Sequence, residues 1–161
     1  MLCSVTVPYS FLRGYVCCDQ EHLGIPNQVL CPNCNQKRDA TKQLHIFRTP
    51  QILVLQLKRF NDFPNGKNTT DVNFPHQLQL PRTLLSEHHP PNTRPQHFSL
   101  YAVSNHIGGF GGGHYTTHSK QNKNQNVSPW RTFNDADSKP CQPDEVSGPT
   151  AYVLFYRKTP D

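Results

Sequence analysis

Long hydrophobic runs are missing from this sequence of 161 residues. Its apolar runs, such as Ile52–Leu55, are short, whereas a helix that crosses a membrane needs about 20 such residues. No N-terminal stretch combines basic, apolar and small residues in the order of a secretory signal. We therefore expect no membrane partner.

Clustered basic charge is also missing, although the net charge is +5. The lysines and arginines are spread along the chain, which is typical of a solvated surface. A nucleic-acid binder would be expected to carry a basic cluster and a patch of base-stacking aromatic residues. A zinc-ribbon protein that binds nucleic acid is therefore the weakest function hypothesis, and we expect no nucleic-acid partner.

The six cysteines do not resemble the framework of a disulfide-rich secreted domain. Cys17 and Cys18 are adjacent, and Cys31 and Cys34 form the motif C-P-N-C. In a chain without a secretory signal, a C-x-x-C motif indicates metal ligands or reduced thiols. These patterns favour a location in the cytosol or the nucleus.

The periodicity of apolar residues predicts a β-rich chain with long hairpin connections and little helix. A helix is predicted over residues 9–22. Residues 42–50 and 51–60 are predicted to form an antiparallel pair of strands turned at Thr49-Pro50, and residues 76–95 an exposed, proline-rich excursion. Further strands are predicted from these segments: 97–106, 114–119, 130–135 and 151–158.

Five glycines and two histidines crowd the segment G-G-F-G-G-G-H-Y-T-T-H, residues 108–118. The segment is not a phosphate-binding loop, because it lacks G-x-G-x-x-G before a helix and no G-K-[ST] follows. It delivers His114 to the start of a strand, where a histidine can serve as a general base. The competing interpretation is a glycine-rich hairpin with an incidental histidine.

Asn134, in W-R-T-F-N-D, is the candidate partner of His114. If the two strands pair as a hairpin, we expect the two residues to lie opposite one another. The asparagine oxygen would then accept from Nδ1–H of the imidazole and leave Nε2 to activate a nucleophile, as in Cys-His-Asn sites. The competing interpretation is a simple turn, because N-D-A-D-S has the composition of one.

Several motifs together resemble the ubiquitin-specific proteases. They stand in that family's order and are L-x-L-K-R-F at 55–60, S-N-H-x-G-G-x-x-G-G-H-Y at 104–115, W-x-x-F-N-D at 130–135 and A-Y-V-L-F-Y at 151–156. C-P-N-C followed by K-R-D-A-T-K-Q-L is similar to the family's second zinc knuckle and the strand after it. The resemblance spans essentially the whole chain.

The resemblance implies an α+β fold of the papain-like cysteine peptidase type. The chain would form its β-rich palm and part of its zinc-ribbon fingers, with the N-terminal helical half missing. The implied activity is cleavage of the isopeptide bond at the C-terminal glycine of ubiquitin, and the implied partners are ubiquitin and ubiquitinated proteins. The implied domain comprises residues 1–158, and residues 159–161 form a tail.

The resemblance also implies roles for individual residues. His114 matches the catalytic histidine, Asn134 the third catalytic residue, and Asp135 an acidic neighbour that assists. The glycine-rich segment resembles the rim of a channel for the ubiquitin tail. Its implied substrate-binding residues are Gly108, Gly109, Gly111, Gly112, Gly113 and Tyr115.

Two parts of the family pattern are absent. The family's nucleophile lies in a cysteine box, G-L-x-N-x-G-N-T-C, and nothing like it occurs here. No cysteine of the chain follows a glycine-rich turn at a helix N-terminus, which would lower its pKa. Cys31 and Cys34 supply half of a structural Zn²⁺ site, which needs four ligands; the alternative is two reduced surface thiols.

Two function hypotheses follow from the resemblance. The first is a deubiquitinating cysteine peptidase of which this chain is one part, inactive alone because the nucleophile is absent. The second is a non-catalytic ubiquitin-binding module, or pseudo-enzyme, that kept the histidine and the asparagine. The intact pair of His114 and Asn134 favours the first, because binding alone gives no chemical reason to keep both.

Overall fold

The structure is a computed structural model, and it describes residues 20–60, 66–86, 96–121 and 129–160 together with the backbone of 2–6. Within these residues the chain forms strands and two short 3-10 turns, Arg82–Leu84 and Pro143–Val146. None of the described residues forms a helix long and apolar enough to span a bilayer.

Eight of the described strands form one sheet with the order β1-β6-β12-β8-β9-β10-β11, and β7 also pairs with β8. Their bounds are β1 Leu2–Thr6, β6 Ile52–Lys58, β7 Gln77–Gln79, β8 His97–Gly109, β9 Gly112–Lys120, β10 Trp130–Asn134, β11 Asp137–Pro140 and β12 Ala151–Lys158. The contact of β1 with β6 is parallel, whereas the other contacts in the sheet are antiparallel.

Two small antiparallel pairs stand outside this sheet. Strand β2, Glu21–Leu23, pairs with β5, Ala40–Lys42. Between them, β3, Val29–Leu30, pairs with β4, Lys37–Arg38, around the C-P-N-C turn. These four strands are short and largely exposed, so hydrophobic burial contributes little to them.

The core lies on one face of the large sheet. Alternation along β6 places Leu53, Leu55 and Leu57 on that face, each at most 1% exposed, as expected for a strand with one buried side. Residues of the neighbouring strands and connections complete the core: Phe98, Leu100, Val103, Leu154, Tyr156, Trp130, Leu78, Leu80, Phe74 and Val146.

The sequence prediction was wrong for several connecting segments. Residues 42–50 do not pair with β6; after β5 the chain runs irregularly, and Ile46 is buried through a bridge to Leu85. Strand β6 pairs instead with β1 and β12. The segment 76–95 is not simply exposed, because β7 joins the sheet and Leu78 and Leu80 are buried.

The predicted helix over 9–22 ends in residues that belong to strand β2. Its part over 9–19 lies outside the described residues, as do residues 87–95 of the predicted excursion. The predicted strands at 97–106, 114–119, 130–135 and 151–158 are confirmed as β8, β9, β10 and β12, although β8 and β9 are longer than predicted. The order of these four strands places the glycine-rich segment and W-R-T-F-N-D side by side.

Candidate active site

The glycine-rich segment is the tip of the β8–β9 hairpin. The strand pairing continues without interruption from Ala102↔Ser119 to Gly109↔Gly112, and Phe110 and Gly111 form the turn. Gly108 and Gly112 have φ values of 121° and 153°, which side-chain-bearing residues rarely adopt. The glycines therefore allow a tight hairpin, and at the glycine positions its backbone is exposed without a covering side chain.

His114 stands near this tip, on the third residue of β9. The pairing of β10 with β9 ends at Phe133↔Thr117, so Asn134 comes level with Thr116 rather than with His114. The expectation that His114 and Asn134 lie directly opposite was wrong. The Asn134 side chain instead reaches diagonally, and its Oδ1 lies 2.5 Å from Nε2 of His114.

The nitrogen that meets Asn134 also differs from the prediction, which assigned that contact to Nδ1. The Asn134 oxygen can only accept, so Nε2 of His114 carries the proton and donates it. In a neutral imidazole this leaves Nδ1 as the nitrogen that can accept a proton. The chemistry of an oriented general base is preserved, with the two nitrogens exchanged.

Asp135 occupies the turn that follows Asn134. Strands β10 and β11 pair up to Asn134↔Asp137, so residues 135 and 136 alone connect them, and Asp135 has a φ of 49°. Aspartate tolerates this conformation better than most residues. Its carboxylate lies 3.9 Å from Nε2 of His114 and is 82% exposed, so it faces the histidine from solvent.

An aromatic cluster lies on the other face of β9, beneath the hairpin tip. The ring of Tyr115 is 4.8 Å from that of His106, and Tyr152 lies within 6.4 Å of both. Phe60 stacks edge-on against His106, and also against Phe110 at the turn. Sequence reasoning missed Phe60 and Tyr152, although both stand in the motifs L-x-L-K-R-F and A-Y-V-L-F-Y.

His106 is the buried centre of this cluster, with 4% of its surface exposed. Burial lowers its pKa, and the ammonium of Lys67, which donates a hydrogen bond to the His106 carbonyl, lowers it further. The ring is therefore held neutral. It packs beneath the glycine hairpin, against Tyr115 and Phe60.

Arg59 of L-x-L-K-R-F is structural. Its guanidinium is fully buried and donates to the carbonyls of Ala151, Asn68 and Thr70 at 2.5, 2.8 and 3.0 Å. It thereby ties the end of β6 to the start of β12, directly beside the aromatic cluster.

Cys31 and Cys34 flank a tight turn between β3 and β4. Cys31 accepts hydrogen bonds from the backbone N–H groups of Cys34 and Asn33 and from the Cys34 thiol, and these lower its pKa. Such a turn holds a thiolate ready for a metal ion. In the part of the chain that the structure describes, no three His, Cys, Asp or Glu residues come together around one point.

None of the cysteines with described side chains meets His114. Cys31 and Cys34 belong to the separate knuckle, and Cys141 is buried with its Sγ 3.6 Å from Nδ1 of His118. Cys17 and Cys18 lie outside the described residues. The structure thus brings together the predicted histidine, asparagine and aspartate beside the glycine hairpin, and holds the knuckle elsewhere.

Comparisons with known proteins agree with this geometry. The ubiquitin carboxyl-terminal hydrolase family model matches residues 22–156. The chain is 38% identical over 157 residues to ubiquitin carboxyl-terminal hydrolase 5 of Arabidopsis thaliana, covering 95% of this chain and 16% of that protein. It is also 38% identical over 142 residues to ubiquitin carboxyl-terminal hydrolase 15 of Homo sapiens, covering 86% and 14%.

Solved structures show the same fold. The SAGA Ubp8/Sgf11/Sus1/Sgf73 DUB module bound to ubiquitin aldehyde matches with a TM-score of 0.79 at 28% identity, covering 99% of this chain and 36% of that one. The chain belongs to the ubiquitin carboxyl-terminal hydrolase family and corresponds to the C-terminal part of a ubiquitin-specific protease catalytic domain. Its sheet is the β-rich part of that papain-like fold.

Proposed function

We propose that this chain supplies the general base of a deubiquitinating cysteine peptidase. The observation that supports the proposal is the contact of 2.5 Å between Nε2 of His114 and Oδ1 of Asn134, at the mouth of a glycine hairpin. In this proposal residues 1–158 form the C-terminal part of the catalytic domain, residues 159–161 form a tail, and the nucleophilic cysteine comes from outside these residues.

The proposed mechanism uses the free nitrogen of His114. Nδ1 accepts the proton of the nucleophilic cysteine thiol, and the thiolate sulfur attacks the carbonyl carbon of the isopeptide bond. Asn134 holds the ring through Nε2–H while the ring carries positive charge, and the Asp135 carboxylate at 3.9 Å stabilises that charge. The imidazolium then gives this proton to the lysine amine as the isopeptide C–N bond breaks. The ubiquitin carbonyl remains on the cysteine sulfur as a thioester, and water hydrolyses the thioester and frees the thiol.

The glycine hairpin is the proposed rim of the substrate channel. The residues that line it are Gly108, Gly109, Gly111, Gly112, Gly113 and Tyr115. The glycine positions present only backbone, and Tyr115 is 56% exposed beside them. A slender, glycine-ended peptide tail fits such a surface, because no side chain blocks the approach of one backbone to another.

We also propose that Cys31 and Cys34 are two of the four ligands of a structural Zn²⁺ in the zinc-ribbon fingers. The donor set fits, since the knuckle stabilises the Cys31 thiolate through backbone N–H groups. The remaining two ligands are proposed to come from elsewhere in the full catalytic domain.

The partners in this proposal are ubiquitin and ubiquitinated proteins, and the location is the cytosol or the nucleus. The proposal includes neither a nucleic-acid nor a membrane partner. Support for ubiquitin as a partner comes from the similar solved structure of the SAGA DUB module, which is bound to ubiquitin aldehyde.

A graft tests the proposal. This chain would replace the matching 157-residue segment of Arabidopsis ubiquitin carboxyl-terminal hydrolase 5, and release of a fluorogenic amine from the C terminus of ubiquitin would be measured. We expect turnover by the graft and a loss of about 10²- to 10⁴-fold in kcat for His114→Ala. The matched control, His45→Ala, removes an exposed histidine far from the knuckle and the hairpin in sequence and should leave kcat unchanged.

Two outcomes would contradict the proposal. Unchanged kcat in the His114→Ala graft would exclude His114 as the base. A covalent adduct between the chain alone and a ubiquitin probe with a C-terminal electrophile would show that the nucleophile lies within these residues. An inactive graft, together with ubiquitin binding that His114→Ala does not weaken, would favour the non-catalytic binding module.

A further inference from the structure

A second histidine, His118, shares a face of β9 with His114. Strand β10 places Thr132 directly opposite His118, and Thr132 Oγ1 lies 3.0 Å from Nδ1 of His118. Cys141 Sγ, from the residue that follows β11, lies 3.6 Å from the same nitrogen. One atom of β9 therefore contacts a side chain in the middle of β10 and another just after the end of β11.

A neutral His118 ring with Nδ1 unprotonated fits these contacts. Burial lowers the pKa of His118, and the Glu145 carboxylate opposes this effect. Nδ1 of the neutral ring accepts a hydrogen bond from the Thr132 hydroxyl, which is a stronger donor than the Cys141 thiol. Cys141 is only 4% exposed, so its side of this cluster is shielded from water.

The β10–β11 hairpin runs from this cluster to the candidate active site. At its base, the Cys141 N–H donates to the Trp130 carbonyl at 3.1 Å. At its tip stand Asn134 and Asp135. Strand β10 is paired with β9 as far as Phe133, and Thr132 lies only two residues before Asn134. A change in how Thr132 rests on His118 therefore moves Asn134, and the His114–Asn134 hydrogen bond weakens beyond about 3.2 Å.

We propose that His118 is a positioning residue for the His114–Asn134 pair. Its contacts with Thr132 and Cys141 fix β10 and the end of the β10–β11 hairpin against β9, so that Asn134 Oδ1 at the tip meets Nε2 of His114. His118 itself does not contact His114. The importance of this positioning for catalysis rests on the proposed function, but the contact that it controls can be measured without turnover.

The test follows the reactivity of His114 in the full chain. Diethyl pyrocarbonate acylates unprotonated imidazole nitrogens, and chromatography with mass spectrometry separates the two N-acyl isomers of each histidine peptide; the rate of acylation at Nε2 is the rate compared below. We expect Asn134→Ala to speed acylation of His114 at Nε2 roughly fivefold, because the contact with Asn134 keeps that nitrogen protonated in the wild type and one hydrogen bond is lost. Thr132→Val, which keeps the shape but removes the hydroxyl, should produce most of that increase, and Thr132→Ser should restore the slow rate.

Matched controls separate positioning from general destabilisation. Thr150→Val makes the same change at another half-buried threonine, which directly precedes β12 and whose hydroxyl contacts Asn105 at 3.3 Å, and should leave His114 slow. The exposed His45 serves as an internal standard for the reagent. In the double variant of Thr132→Val and Asn134→Ala, His114 should react no faster than with Asn134→Ala alone, because both act through one contact.

His118→Phe fills the space of the imidazole without its acceptor and should match Thr132→Val. If this variant does not fold, the Thr132 variants decide the question alone. An unchanged His114 rate in Thr132→Val, additive effects in the double variant, or equal rates for the wild type and Asn134→Ala would each overturn the proposal.

Discussion

Gly113 lies directly against the buried side chain of His106. A Cβ atom built on Gly113 would come 2.8 Å from Cε1 of His106 and 2.5 Å from the carbonyl oxygen of Ile107. Real Cβ atoms do not approach neighbours so closely. The glycine before His114 is therefore required by packing beneath the hairpin, in addition to any role in admitting a substrate.

The first prediction concerns this packing. Gly113→Ala should lower the free energy of unfolding by about 2 kcal/mol, as expected when an extra methyl group is forced into a filled space. Gly109→Ala is the matched control, because no atom lies within 4 Å of the Cβ position there. Urea denaturation followed by circular dichroism measures both, and equal losses for the two variants would contradict the packing argument.

The second prediction concerns Arg59. Arg59→Met leaves the carbonyls of Ala151, Asn68 and Thr70 without their buried donor, which should cost about 3 kcal/mol or more in unfolding free energy. Arg38→Met makes the same change at an exposed arginine and should cost less than about 0.5 kcal/mol. If the two variants have the same urea midpoint, the guanidinium does not hold the sheet as described.

Part of the site was predictable because its signals are local. The glycine-rich segment before a strand identified His114, and W-R-T-F-N-D identified Asn134 as its candidate partner, whereas Asp135 was assigned through the resemblance to the ubiquitin-specific proteases. Their exact pairing was not predictable, because strand register depends on how β9 and β10 pack along their whole length. In the observed register Lys120 stands opposite Trp130, and its ammonium lies 5.2 Å from the centre of the Trp130 ring.

The errors in the fold have a different cause. Residues 42–50 have the alternation of a strand, but β6 obtains its partners from distant parts of the chain, β1 and β12. Hydrophobic pattern alone cannot specify such a non-local choice. Likewise, the polar and proline-rich composition after residue 76 concealed Leu78 and Leu80, which the core buries.

The third prediction is a loss of stability in mild acid. Burial lowers the pKa of His76, His106 and His118 in the folded chain. In the unfolded chain their pKa is about 6.5, so below neutrality the unfolded state binds more protons and is favoured. The stability that these neutral rings contribute is complete above about pH 7 and is lost as the pH falls toward their folded pKa values.

Urea midpoints between pH 7.5 and 5.5 measure this effect. His106→Gln should flatten the pH dependence, because it removes one of the three groups, whereas His45→Gln removes an exposed histidine and should not. A midpoint that rises as the pH falls through this range would show that the sign is wrong.

The fourth prediction concerns the cysteine knuckle. The hydrogen bonds from the backbone N–H groups of Cys34 and Asn33 and from the Cys34 thiol lower the pKa of Cys31, so more of its thiolate is present at neutral pH. Alkylation by iodoacetamide, mapped by mass spectrometry over pH 6–10, should therefore show a lower midpoint for Cys31 than for a cysteine in an unstructured peptide. Cys34→Ala removes the thiol donor but keeps both backbone donors, so it should move the Cys31 midpoint only part of the way back.

Added Zn²⁺ should slow alkylation of Cys31 and Cys34 together and leave the buried Cys141 unaffected, because a metal held by the knuckle occupies both sulfurs. If Zn²⁺ protects neither sulfur in the chain or in the graft, the knuckle is a pair of reduced thiols and not half of a zinc site.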